Sequence, residues 1–210
     1  MLRTLLLATA IAALQMIIAQ QSLAFEPTYI VDMRGFKVDF SQASNRERRL
    51  VFNSLDQQLK IVERANVPPA VMDFFRSIPI LVDPVLQTTN GAYLLYEGRW
   101  IVRMKPTELP SNRPIVLHEL LHAYHHQVLK QPTPQVGRAF QQAQREKIYP
   151  ESYNSAHFME NGKEFFAVIG SIFLHGKKID QPPFDCSIPA KSQPEFIAFL
   201  TEQFGPHPCR

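Results

Sequence analysis

Within Val116-Leu-His-Glu-Leu-Leu-His-Ala-Tyr-His-His126 stand His118, Glu119 and His122, and four of the chain's seven histidines fall between positions 118 and 126. On a helix, residues four apart lie one above the other, so His118 and His122 can aim both imidazoles at one metal ion. Glu119 sits about 100° round the same helix, near such an ion without having to bind it. That is the arrangement for a zinc-activated water with a carboxylate base beside it.

A catalytic zinc takes three protein ligands and keeps one position for water, so a third donor must come from elsewhere. In the extended form H-E-x-x-H-x-x-G-x-x-H, the glycine would fall on His125 and the last histidine on Val128, which excludes that arrangement. Glu164, 42 residues after His122, opens a second, strongly apolar segment able to pack beside the first, with the small Ala167 one turn on. A plainer role is open to it: Asn161 and Glu164 have the spacing of a helix capping box. His125 projects about 20° from His118 and could orient a ligand, or be no more than a hydrogen-bonded neighbour.

These residues need elements to place them. Ser111-Asn112-Arg113-Pro114 reads as the start of the histidine helix, whose Ile115, Leu117, Leu120, Leu121 and Ala123 surround the polar seam. Upstream, Tyr29 to Met33 and Phe36 to Phe40, around Gly35, suggest an opening strand or hairpin. Ser44 or Asn45 caps a helix to about Ala65, with Val51, Leu55, Leu59 and Val62 at helical spacing, and Pro68-Pro69 opens a short helix to Ser77. Ile78 to Val82 reads as a strand, and Ala92 to Tyr96 with Arg99 to Met104 as a hairpin around Glu97-Gly98. The strand Arg99 to Met104 is either an ordinary hairpin strand or one that borders the cleft and pairs with an extended substrate. Downstream come a polar helix over Gln135 to Ile148, a loop from Tyr149 to Met159, the helix opened by Asn161 and stopped at His175-Gly176, and a last helix capped by Ser192 and Glu195.

The 210 residues suit one domain, expected over residues 25 to 210. With 22 Lys and Arg against 19 Asp and Glu, the net charge of +3 is slight, and no basic cluster stands out, so nucleic acid is not the expected partner. Arg3, the apolar run Leu5 to Ile18 and Ser22-Leu23-Ala24 read as a secretory signal at residues 1 to 24, cleaved after Ala24, although an uncleaved anchor fits the same pattern less well. No later segment is long and apolar enough to cross a bilayer, so no stable membrane span is expected after cleavage. A secreted or periplasmic setting gives meaning to Cys186 and Cys209, expected to form a disulfide that contributes about 3 kcal/mol in the chain-entropy model.

The combination of His118-Glu-x-x-His122, a tyrosine-containing loop and Asn161-x-x-Glu164-Phe165-Phe166-Ala167 resembles the catalytic domain of the anthrax lethal factor-like zinc metallopeptidases, a gluzincin group. The motif-bearing likeness runs from about Arg99 to His175. It implies an α+β, zincin-like domain: a small mixed sheet packed against an active-site helix and a second, glutamate-bearing helix. It also implies a peptidase acting on peptide or protein substrates, with Zn²⁺ held by His118, His122 and Glu164, and Glu119 as general base. The oxyanion-stabilising tyrosine falls on Tyr153, with Tyr149 and His157 as substitutes. Where the family often has a further acid, this chain has Val168. Two other functions fit the same residues: a secreted, non-catalytic module that binds zinc or copper through the His118 to His126 cluster, and a peptidase-like domain that has lost activity and binds a partner.

Overall fold

The computed structural model describes residues 29–207; the signal segment and Cys209 lie outside these residues. The chain folds as an α+β structure in which a small sheet supports a layer of helices. Strands β1 (Ile30–Met33) and β2 (Phe36–Asp39) form an antiparallel hairpin, followed by helices α1 (Asn45–Arg64) and α2 (Pro69–Ser77). Strand β3 (Ile80–Val82) and the hairpin β4 (Gly91–Tyr96) and β5 (Arg99–Met104) complete the sheet, in the order β1-β2-β3-β5-β4. β2, β3 and β5 are parallel, while β1 and β4 lie antiparallel at the two edges. Then come α3 (Ile115–Gln127), α4 (Pro134–Arg145), two single 3₁₀ turns at Glu151–Tyr153 and His157–Met159, α5 (Gly162–His175), α6 (Ser187–Ser192) and α7 (Pro194–Phe204). Among the described residues, no helix is long and apolar enough to cross a membrane. Cys186 is disulfide-bonded.

Local chemistry explains several boundaries. Ser44 caps α1 in a full capping box with Glu47. Asn161 accepts hydrogen bonds from the Lys163 and Glu164 amides at the start of α5, and Gly176, left-handed at φ 63°, ends it. Glu97 and Gly98, both at positive φ, make the two-residue turn that joins β4 to β5.

Two expectations need correction. Strand Arg99–Met104 is not placed to pair with a substrate: β4 lies along one of its sides and β3 along Val102 to Met104 on the other, so it is an interior strand of the sheet and β4 forms the edge. The last helix has no Ser192–Glu195 box, because Ser192 ends α6 and Gln193 stands at the junction. Buried Gln193 instead donates to the Ala139 carbonyl and accepts from the Tyr149 hydroxyl, fastening α7 to α4.

One core runs through both layers, from Phe36, Val38, Ile80 and Val102 of the sheet to Leu117, Leu121, Phe166 and Leu200 of the helices. α5 is buried along ten consecutive residues, Phe165 to Leu174. A Cβ added to Gly170 would lie 3.2 Å from Leu121 Cδ1, so the absence of a side chain here lets α5 pack tightly onto Leu121 of α3.

The start of α3 is held by a distant residue. Pro114 occupies its cap position and makes no side-chain bond to the helix. The fully buried Gln58 of α1 substitutes: its Oε1 accepts from Val116 N at 3.3 Å, and its Nε2 donates to the carbonyls of Pro110 and Arg113 at 2.7 Å each. Replacing one partner of buried hydrogen bonds strands the others at about 1–3 kcal/mol. Gln58→Leu is therefore expected to lower the unfolding free energy by about 2–3 kcal/mol, read from denaturant midpoints at constant m-value.

Candidate metal centre

His118 and His122 stand on successive turns of α3, their rings nearly perpendicular with centroids 4.6 Å apart and their Nε2 atoms 3.0 Å apart. Because Asn161 caps α5, Glu164 is not needed for that task and its carboxylate reaches across to α3. Its Oε2 lies 3.3 Å from His118 Nε2 and 3.2 Å from His122 Nε2. Three donor atoms of catalytic-zinc type thus form a triangle with sides of 3.0, 3.2 and 3.3 Å. A tetrahedral ion with bonds of about 2.0–2.1 Å sets its ligands about 3.3 Å apart. The donor set and its spacing therefore fit such an ion. Glu119 and His157 each lie within ligand distance of His118 as well.

The electrostatics hang on Glu164. Burial would raise its pKa, but hydrogen bonds with His118, His122 and His157 outweigh that and hold it well below the usual carboxylate range. His157, on the second 3₁₀ turn, sets Nε2 2.8 Å from Glu164 Oε2 and Nδ1 3.0 Å from Glu160 Oε1. The Glu164 bond, reinforced by Glu160 against partial burial, raises the His157 pKa to about 9.

Glu119 is positioned by the sheet. The backbone N–H of Tyr93 on β4 donates to its Oε2 at 2.9 Å. This contact requires Gly91: a Cβ there would lie 3.0 Å from Glu119 Cγ and 3.2 Å from its Oε1. Gly91 has an ordinary backbone conformation, so it is space and not φ that excludes a side chain.

These groups open onto a cleft of about 360 Å³ lined also by Ala92, Tyr93, Trp100, His126, Gln131 and Lys163. Of the expected site residues, His118, Glu119, His122 and Glu164 are brought together. Tyr153 is not among those lining the cleft; its ring packs edge-on against Phe158 and Phe184. Tyr149 is buried with its hydroxyl on Gln193. His157 alone of the three alternatives reaches the wall. The cleft residues Tyr93 and Trp100 escaped sequence reading, although the alternation of the β4–β5 hairpin already places both on one face.

The histidine cluster divides. His126 Nδ1 and the Tyr93 hydroxyl share a hydrogen bond of 3.0 Å, and the His126 ring packs on Trp100. His125, 3% exposed, packs its ring 4.6 Å from Phe166. Among the described residues neither of its nitrogens has a hydrogen-bond partner. The chain matches no family model, no curated protein and no solved structure.

Burial, with positive neighbours adding to it, depresses the His125 pKa from 6.5 to about 4. The unfolded chain therefore takes up this proton first as the pH falls. The stability that neutral His125 contributes is full above pH 6.5 and declines toward pH 4, by about 3 kcal/mol at the lower end. His125→Phe is expected to flatten that part of the stability–pH curve, measured by thermal unfolding from pH 7.5 to 4.

Proposed function

We propose that the chain is a secreted or periplasmic zinc peptidase of the lethal factor-like, gluzincin type. His118, His122 and Glu164 hold the zinc ion, and Glu119 is the general base. The observation that carries this reading is the triangle of two imidazole nitrogens and one carboxylate oxygen, joined across two helices, with a second carboxylate beside it. Bound there, the ion would supply Lewis acidity to a water and to a scissile carbonyl. Glu119 takes the proton of the attacking water and delivers it to the leaving amine. His157, which alone of the three oxyanion candidates lines the cleft, has Nε2 on Glu164 and Nδ1 on Glu160, so it orients the Glu164 ligand and would serve an oxyanion only by releasing one of those bonds. The edge of β4 receives the substrate backbone as an added strand. Disulfide-bonded Cys186 supports an oxidising compartment.

A non-catalytic module using the whole histidine cluster draws less support, because His125 turns to Phe166 and His126 to Tyr93 and Trp100. The two readings separate in one experiment. Glu119→Gln is expected to keep about one zinc per chain and lose peptide hydrolysis, while Glu164→Ala loses the zinc. Metal retained in Glu164→Ala, or absent from the wild type even after titration, overturns the proposal.

Gly91→Ala offers a second check at a residue that is not itself a ligand, where an added Cβ would press on Glu119 and on Ile115 Cγ2. Crowding of Glu119 is expected to lower kcat by about 10- to 100-fold, with zinc content and KM little changed. Steady-state kinetics beside metal analysis would show it.

A further inference from the structure

We infer that Tyr93, Leu95, Trp100 and His126 form a subsite for a bulky apolar, preferably aromatic, side chain of an extended peptide; this rests on the peptidase reading and names its substrate preference. The backbone of β4 confines where a peptide can pair. Asn90 accepts from Lys105 N at 3.0 Å, and the β4–β5 register carries this inward direction through residues 92, 94 and 96. Residues 91, 93 and 95 therefore turn their N–H and C=O groups to the open edge. The Thr89 hydroxyl already covers both groups of Gly91, and Glu119 takes the N–H of Tyr93. The Tyr93 carbonyl and both backbone groups of Leu95 have no partner among the described residues. A peptide can thus join β4 around Leu95 without displacing any existing bond.

Side chains at that point make a shelf. Leu95 pairs directly with Trp100 across the hairpin, and Tyr93 is diagonal to Trp100 on the same face. The Tyr93 and Trp100 rings stack at 5.2 Å, and His126 lies 4.3 Å from Trp100. The Tyr93 hydroxyl is fixed between the Gln127 amide, which donates to it at 2.7 Å, and His126. α3 ends at Gln127, so nothing in the helix layer covers the shelf beyond it: Trp100 remains 41% exposed and Leu95 56%. A rigid aromatic surface left open beside free backbone groups gains most from burying another ring or a large aliphatic side chain.

Trp100 is the only tryptophan of the chain, so its fluorescence reports occupancy directly. The zinc-loaded Glu119→Gln variant would be titrated with two peptides that differ in one residue, Phe against Ser. The wild type would be assayed for hydrolysis of both, and Trp100→Ala likewise with its zinc content checked. The Phe peptide is expected to shift the emission at about tenfold lower concentration, and its roughly tenfold advantage in kcat/KM should collapse toward unity in Trp100→Ala. Equal response to both peptides, or a preference that survives Trp100→Ala, overturns the subsite. A selective fluorescence response without hydrolysis by the wild type keeps the subsite and overturns the peptidase reading instead.

Discussion

The structure depends on one carboxylate carrying its charge in a half-enclosed position between two apolar helices. Left alone there, Glu164 would be driven toward its neutral form, because burial disfavours the ion. Three imidazoles gather on it, two from α3 and one from the 3₁₀ turn before α5, and they reverse that tendency. Such a cluster can exist only if the first turn of α5 lies against the middle of α3. The packing beneath enforces this: α5 is buried along nearly its whole length, and Gly170 lets it settle onto Leu121. Apolar packing therefore sets the distance between the helices, and the charged cluster uses that distance.

The sheet makes a separate contribution through its edge strand. β4 approaches α3 so closely at Gly91 that no side chain fits, and the next outward N–H, that of Tyr93, takes the carboxylate of Glu119. An edge strand normally leaves such donors open to stray pairing. Here one donor is filled from within the domain, which fixes Glu119 beside the histidines while Leu95 remains open further along. The Glu119 carboxylate on a helix and a row of backbone groups on a strand are thus tied together. The precision of this link rests on α3 being anchored at its own start by Gln58.

Much of the local order was legible in the residues: the Ser44 box, the Asn161 cap, the Gly176 stop and the turn at Glu97-Gly98 are each written within a few positions. The meeting of His118 and His122 was likewise legible, since it follows from helical spacing. What escaped depends on long-range partners. Which strand of the β4–β5 hairpin lies outermost is decided by how β5 pairs with β3, and no local pattern records that. The cap of α3 comes from Gln58, far back in the chain, and not from Ser111 or Asn112. Tyr153 and His157 lie in one short segment, and only the path of its two 3₁₀ turns decides which side chain faces Glu164.

The four histidines of α3 show why type and spacing alone do not assign a role. His125 follows His118 and His122 on nearly the same face, one turn further along. It differs from them in what α5 places opposite: a carboxylate at Glu164 for the first pair, and the ring of Phe166 for His125. The same imidazole is therefore a candidate ligand in one turn and, in the next, a core residue with no hydrogen-bond partner among the described residues, its proton affinity lowered by burial. His126, rotated off that face, meets the sheet and braces Tyr93. A metal centre in this fold thus requires two sequence signals at once: histidines at helical spacing, and a glutamate released from capping by Asn161 at the depth where those histidines emerge.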